Sequence, residues 1–238
     1  MNNIQSQQTN SHQTAEQLIS AGRYTESKEI LTKLLIEDPS DHVATHMLGL
    51  LAKKTNQWNL AIAFFTRAIN INEQYFASYL ERGIVNRQLT NLSNSIADFS
   101  AALKITPLSF EALNNRGIAL CQAGNAAQAI QDFNNAIALE PNCSQAYFNR
   151  GLAQKTFGHI SAALVDYTRS IELDPENYRA LNNRAMLHRD LKNFDEAIQD
   201  LDKCLSVRPD FYEALWNKSL TLLLMGNHDL GWEIYESR

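Results

Sequence analysis

Cysteine, proline and glycine are scarce in this 238-residue chain, at three, five and nine copies. Cys121, Cys143 and Cys204 are an odd, widely spaced set with no C-x-x-C pair, which excludes a disulfide framework and suits a reducing compartment. Basic excess is also missing. With 21 basic against 26 acidic residues the net charge is −5, which argues against a general nucleic-acid binder. No apolar run approaches the ~20 residues needed to cross a bilayer; the longest is "LTLLLM" at 220–225. The opening "MNNIQSQQTNSHQ" lacks the basic start and apolar core of a secretory signal. Its polarity predicts a disordered tail over residues 1–12. These absences together predict a soluble, cytoplasmic chain without membrane or nucleic-acid partners.

The few prolines and glycines are placed with great regularity. Pro39, Pro107, Pro141, Pro175 and Pro209 lie on one lattice of period 34, with Glu73 in its single empty slot. Gly49, Gly83, Gly117 and Gly151 share a second lattice position, and Gly22, Gly124, Gly158 and Gly226 a third. A fixed period of this length marks a repeat architecture. Inside one period, "FEALNNRGIALCQAG" from Phe110 has apolar residues at helical spacing and ends at Gly124. "NAAQAIQDFNNAIALEP" repeats the helical pattern and stops at Pro141, which cannot continue a helix. Small residues sit where the two helices must approach: Gly117, Ala129 and Ala136, with Phe133 filling the space between. The set recurs as Gly83/Phe99/Ala102 and Gly151/Ala163/Tyr167.

These residues resemble the tetratricopeptide repeat family, whose units pair small residues at places eight, 20 and 27 with an aromatic at 24 and a proline at 32. The resemblance covers about residues 13–238, in seven repeats starting near 8, 42, 76, 110, 144, 178 and 212. It implies an all-α fold, a right-handed solenoid of helical hairpins with first helices on the concave face, in which no repeat buries its apolar face alone. Departures are local. The first repeat has Ser27 and Leu34 at small places, the second lacks its proline, and the sixth has Ala185 for glycine and Cys204 for alanine.

The repeats also align polar residues. Arginine fills the seventh place of repeats three to six (Arg82, Arg116, Arg150, Arg184), and aspartate the twenty-third place of the same four (Asp98, Asp132, Asp166, Asp200). The second repeat has neither. Joint presence and joint absence predict a structural ion-pair ladder, against the alternative of independently solvated charges. The within-repeat partner is favoured, except that Lys218, whose own repeat offers Ile234, should reach back to Asp200.

What packing leaves over faces the groove. The sixth place carries Asn115, Asn149, Asn183 and Asn217; the fifth carries Asn114, Phe148, Asn182 and Trp216; the twelfth is basic at Lys53, Arg87, Lys155 and Arg189. The ninth is an aliphatic floor from Leu50 to Leu220. An amide both donates and accepts, so it can grip a peptide unit whatever side chain that unit bears. With first helices ~8–10 Å apart and an extended chain rising ~3.3 Å per residue, successive asparagines would meet a bound strand about every third residue. An asparagine at this place, two residues before glycine, is similar to the asparagine ladder in the repeat arm of O-GlcNAc transferases, which binds the backbone of extended polypeptides. Met47 and Glu81 depart from it, so the resemblance implies a ladder only in the C-terminal repeats. The plainer alternative is a common variant of the first helix whose amides bond neighbouring helices.

Other chemistry is weaker. His42 and His46 stand at a metal-binding spacing without a third ligand, His188, Arg189 and Asp190 point different ways around a helix, and no glycine cluster forms a phosphate loop. The aliphatic ninth place argues against a clamp for chaperone C-termini. No nucleophile has a base beside it, so the expectation is a non-catalytic chain without metal or cofactor. Trp216, Leu220, Leu223, Leu224, Trp232 and Tyr235 make the last repeat apolar where an array end needs a polar cap, and "GWEIYESR" resembles the junction after which some bacterial proteins of the family continue into a glycosyltransferase. Three readings follow: a scaffold binding an extended peptide or partner protein, the substrate arm of a larger glycosyltransferase, and a module that self-associates through its apolar end.

Overall fold

The computed structural model describes residues 2–236, with side chains from residue 8. Described residues form fourteen α-helices and no strand. They divide into two compact blocks, Met1–Ala123 and Gly124–Arg238, each considered by itself. The first block contains α1 (Asn2–Ser20), α2 (Tyr24–Glu37), α3 (His42–Lys54), α4 (Trp58–Ile71), α5 (Phe76–Gln88), α6 (Leu92–Ile105) and α7 (Phe110–Gln122). The second contains α8 (Ala126–Leu139), α9 (Ser144–Phe157), α10 (Ile160–Leu173), α11 (Tyr178–Asp190), α12 (Phe194–Val207), α13 (Tyr212–Leu224) and α14 (His228–Glu236). Within each block every helix packs on the one before and the one after. First helices also touch one another, in α1–α3, α3–α5 and α5–α7 of the first block and in α11–α13 of the second.

One expectation is corrected at the start of the chain. Helix α1 begins at Asn2, where the sequence predicts a tail to residue 12. Ala15 and Ile19 are buried in the first core, and a helix once nucleated there propagates at little further cost. His12 is fixed as well, with its Nε2 2.7 Å from Asp41 Oδ2.

Each helix stop has a local cause. Helices α2, α6, α8, α10 and α12 end two residues before a proline, and α4 ends at the same place before Glu73. Between the helices of each pair the chain takes one left-handed residue: Gly22, Asn56, Thr90, Gly124, Gly158, Lys192 and Gly226, with φ between 57 and 91°. Only glycine does this without strain. The β-branched Thr90, at φ 60°, is the costliest of the seven.

The lattice glycines have a different role. A Cβ on Gly49, Gly83 or Gly151 would lie 2.5–2.7 Å from the ring of Phe65, Phe99 or Tyr167, so the first helix presses its backbone onto the aromatic of the second. Those rings are fully buried, each contributing about 1.5–3 kcal/mol of hydrophobic free energy. In the sixth repeat Ala185 replaces the glycine and Leu201, smaller than a ring, stands at the aromatic place, at 0% and 1% exposure in one core.

Candidate functional site

Arginines at the seventh place are the first residues the stacking consumes. Arg82 Nη2 lies 2.7 Å from Asp98 Oδ1, Arg150 Nη2 2.6 Å from Asp166 Oδ1, and Arg184 Nη2 2.7 Å from Asp200 Oδ1. In each pair Nε donates to the other carboxylate oxygen, giving a bidentate fork. All three aspartates are buried. The remaining Nη1 reaches the second helix of the preceding repeat: Arg82 donates to Thr66, Arg116 to Ser100, Arg150 to Asn134 and Arg184 to Thr168. Lys218 follows this second route and pairs with Asp202 at 2.6 Å, not with Asp200. A single ammonium cannot fork, and Asp200 is already taken by Arg184. Arg82, Arg150 and Arg184 thus each tie three helices and fix their register more than they add stability. Arg116 and Asp132 belong to different blocks, and their pairing stays a sequence expectation.

The asparagines of the sixth place, one row in the sequence, fall into two environments. Asn149 and Asn217 are buried at 6% exposure. Asn217 Nδ2 donates to Asn182 Oδ1 at 2.9 Å, and its own oxygen accepts from Arg189 Nη1 at 3.1 Å. Asn149 Oδ1 accepts from Gln145 Nε2 at 2.9 Å. Asn115 and Asn183 are only partly buried, and each Nδ2 donates to its own helix, to Glu111 O and Arg179 O, both at 2.9 Å. Their amide oxygens accept no hydrogen bond among the described residues.

The fifth place divides likewise. Phe148 is buried against Tyr167, ring centroids 6.0 Å apart, and so packs the core instead of lining a groove. Asn182 is buried beneath Asn217, Asn114 is partly buried, and Trp216 is 39% exposed with its ring 5.5 Å from that of Tyr235. At the twelfth place Lys53 pairs with Glu81 of the next first helix, the relation that also joins Arg189 to Asn217. Lys155 is partly buried and makes no ion pair among the described residues. Arg87 is partly buried with its Nε closed off from solvent and from any hydrogen-bond partner among the described residues. Desolvation lowers its pKa. Glu111, on the neighbouring α7, is held above the usual carboxylate range by partial desolvation and by Glu81, with Lys53 pulling the other way.

His42 and His46 are occupied, and Cys121 and Cys204 are shielded. His46 is buried with Nδ1 2.9 Å from Ser78 Oγ, while His42 Nε2 lies 3.1 Å from Asn72 Nδ2. Burial, then His42 and Lys53, push His46 down to about 4. Desolvation pushes the Cys121 and Cys204 thiols up to about 11, so neither is a thiolate at neutral pH. The last repeat exposes Leu224 at 63%, Met225 at 43%, Trp232 at 52% and Tyr235 at 37%. No helix among the described residues is long and apolar enough to cross a membrane.

Successive helical hairpins whose first helices touch within each block, riveted by repeated polar side chains, define a repeat scaffold. The chain belongs to the tetratricopeptide repeat family, which matches residues 44–75, 110–143, 144–177 and 178–211, together more than half its length. No curated protein matches the sequence. Among solved structures it is similar to YrrB, a repeat protein with an unusual peptide-binding site, at 23% identity and a TM-score of 0.67 over 78% of this chain and 95% of that one. A repeat protein from Parabacteroides merdae is similar at 16% identity and a TM-score of 0.75, over 96% and 91% of the two chains. The type IV pilus biogenesis factor PilW is similar at 20% identity and a TM-score of 0.75, over 82% and 91%.

Proposed function

We propose that the chain is a non-catalytic scaffold that holds an extended peptide, or an extended segment of a partner protein, along its first helices. The observation that carries this reading is the state of Asn115 and Asn183. Both stand on first helices, partly exposed, with an amide oxygen and one N–H unclaimed by the fold. An amide in that state can accept from and donate to a passing peptide unit, each bond contributing about 0.5–1.5 kcal/mol. Asn149 and Asn217 belong to the scaffold on this reading, so the backbone contacts are fewer than a full ladder provides. The peptide-binding site of YrrB, on a similar fold, supports the class of ligand. The test is capture of partners from a native lysate by the chain and by an Asn115→Ala/Asn183→Ala variant. The expected result is loss of a captured partner with no change in melting temperature. Unchanged capture refutes the role of these amides.

A second reading rests on the exposed Leu224, Met225 and Trp232 of the last repeat, which favour self-association through that surface. Light scattering over a range of concentrations tests it, and a strictly monomeric protein ends it.

A further inference from the structure

Among the described residues, Arg87 on α5 has a guanidinium that makes no hydrogen bond or ion pair, with its Nε closed off from solvent. Arg82, Arg150 and Arg184, buried to a similar degree, each fork a carboxylate. At the twelfth place Lys53 has Glu81 and Arg189 has Asn217. For Arg87, neither a hydrogen bond nor an ion pair reaches the side chain among the described residues, and its Nε is sealed from solvent. Its place in the last turn of α5 offsets part of the cost through the helix dipole, but a dipole does not satisfy N–H groups. An N–H closed off from water is normally hydrogen-bonded. Neither Glu81 nor Glu111 pairs with it. Glu81 is held by Lys53, and Glu111 titrates under the influence of Glu81 and Lys53. The residue one repeat on that stands where Glu81 and Asn217 stand is Asn115, and its amide turns to its own backbone.

We propose that Arg87 is an anchor for a carboxylate of the bound peptide, set on α5 beside Asn115 of α7. The proposal rests on the peptide-scaffold reading and deepens it, because it names the chemistry of one recognised group. A guanidinium presents two parallel N–H donors that match a carboxylate, and partial burial of Arg87 strengthens that pair. Asn115 then holds the adjoining peptide unit. Either an Asp or Glu side chain or a C-terminal carboxylate has the required shape.

The experiment uses the full chain and its Arg87→Gln and Arg87→Met variants against arrays of random linear peptides, with free and amidated C-termini as separate arms. The native chain is expected to retain peptides with an acidic group at a recurrent position. Their affinity for Arg87→Gln should fall about tenfold to a hundredfold, the loss of one charged hydrogen-bonded contact. Acidic preference that survives amidation assigns the site to a side chain, and preference that vanishes assigns it to the C-terminus. In urea, Arg87→Met should unfold at the same or a higher midpoint, because it removes an unpaired charge. Retained peptides with no acidic preference, or equal binding by Arg87→Gln, overturn this inference and leave the scaffold reading standing. A marked fall in the Arg87→Met midpoint also overturns it, since the arginine is then structural. If no peptide is retained at all, the scaffold reading falls and the inference falls with it.

Discussion

Replacing Tyr167 by Phe should stabilise the protein, although it removes a polar group from a packed core. Tyr167 is 0% exposed and its Oη has no hydrogen-bond partner among the described residues. Phe65, Phe99 and Phe133 fill the same lattice place, all at 0% exposure. An unpartnered buried hydroxyl costs about 1–3 kcal/mol. The void left by one oxygen, on the order of 10–15 Å³, takes back about 0.3 kcal/mol at ~24 cal/mol per Å³. A net gain of about 1–2 kcal/mol remains, or roughly 2–8 °C in Tm for a chain of this size. Urea titration followed by circular dichroism measures it. The pH dependence adds an independent check. Burial first, and Asp166 second, push the Tyr167 phenol above its ordinary range. The folded state therefore keeps a proton that the unfolded chain gives up above pH ~10, so the stability this proton carries is present below that pH and lost as pH rises. Tyr167→Phe is exempt, and its advantage should grow by about 1 kcal/mol between pH 10 and pH 11. A lower urea midpoint, or an advantage that does not change with pH, would show that the hydroxyl is satisfied in solution.

Three further outcomes are open to direct measurement. Thr90→Gly should raise stability by about 1 kcal/mol by relieving the left-handed turn, and a fall in urea midpoint contradicts the strain argument. His46, held neutral down to about 4, contributes stability that is present above its unfolded pKa of ~6.5 and lost as pH falls toward 4. The native chain should therefore lose roughly 3 kcal/mol more over that window than a His46→Asn variant, and parallel losses refute the assignment. Asn217→Ala should cost about 1–3 kcal/mol, because it strands Asn182 and Arg189, whereas Asn183→Ala should change stability by under about 0.5 kcal/mol; equal effects would mean that the two asparagines share one environment.

Much of this was legible because a repeat supplies its own alignment. Five prolines and Glu73 on one lattice, with seven turn residues on the same period, are enough to place fourteen helices, since each lattice residue has a single steric task. The Arg–Asp spacing was legible for the same reason. Its second half was not. Thr66, Ser100, Asn134, Thr168 and Asp202 share only a hydrogen-bond acceptor, so no residue identity recurs to announce them, and the partner of Lys218 was accordingly misplaced by two residues. Phe148 was misread because the fifth place tolerates an inward ring only where the second helix offers a surface such as Tyr167. The helical start of α1 was hidden by polar composition, which reports exposure but not whether a helix is anchored further along.

The division among the asparagines follows a rule that no single position carries: the partner of a sixth-place amide depends on the fifth place one repeat earlier. Before Asn217 that place holds Asn182, an acceptor, and the amide turns to it. Before Asn183 it holds Phe148 and before Asn115 it holds Leu80, which is 6% exposed; neither accepts, and both amides fold back on their own helices. The twelfth-place cation inherits the consequence. Arg189 finds the oxygen of a correctly turned Asn217, whereas Arg87 finds none. Leu80, a core residue with no polar atom in its side chain, thus leaves Arg87 available to a ligand. Leu80→Asn should therefore draw Asn115 toward α5, supply Arg87 with an internal acceptor and lower the affinity for acidic peptides by about tenfold, while a variant that binds them as tightly as the native chain would break the link between the three residues.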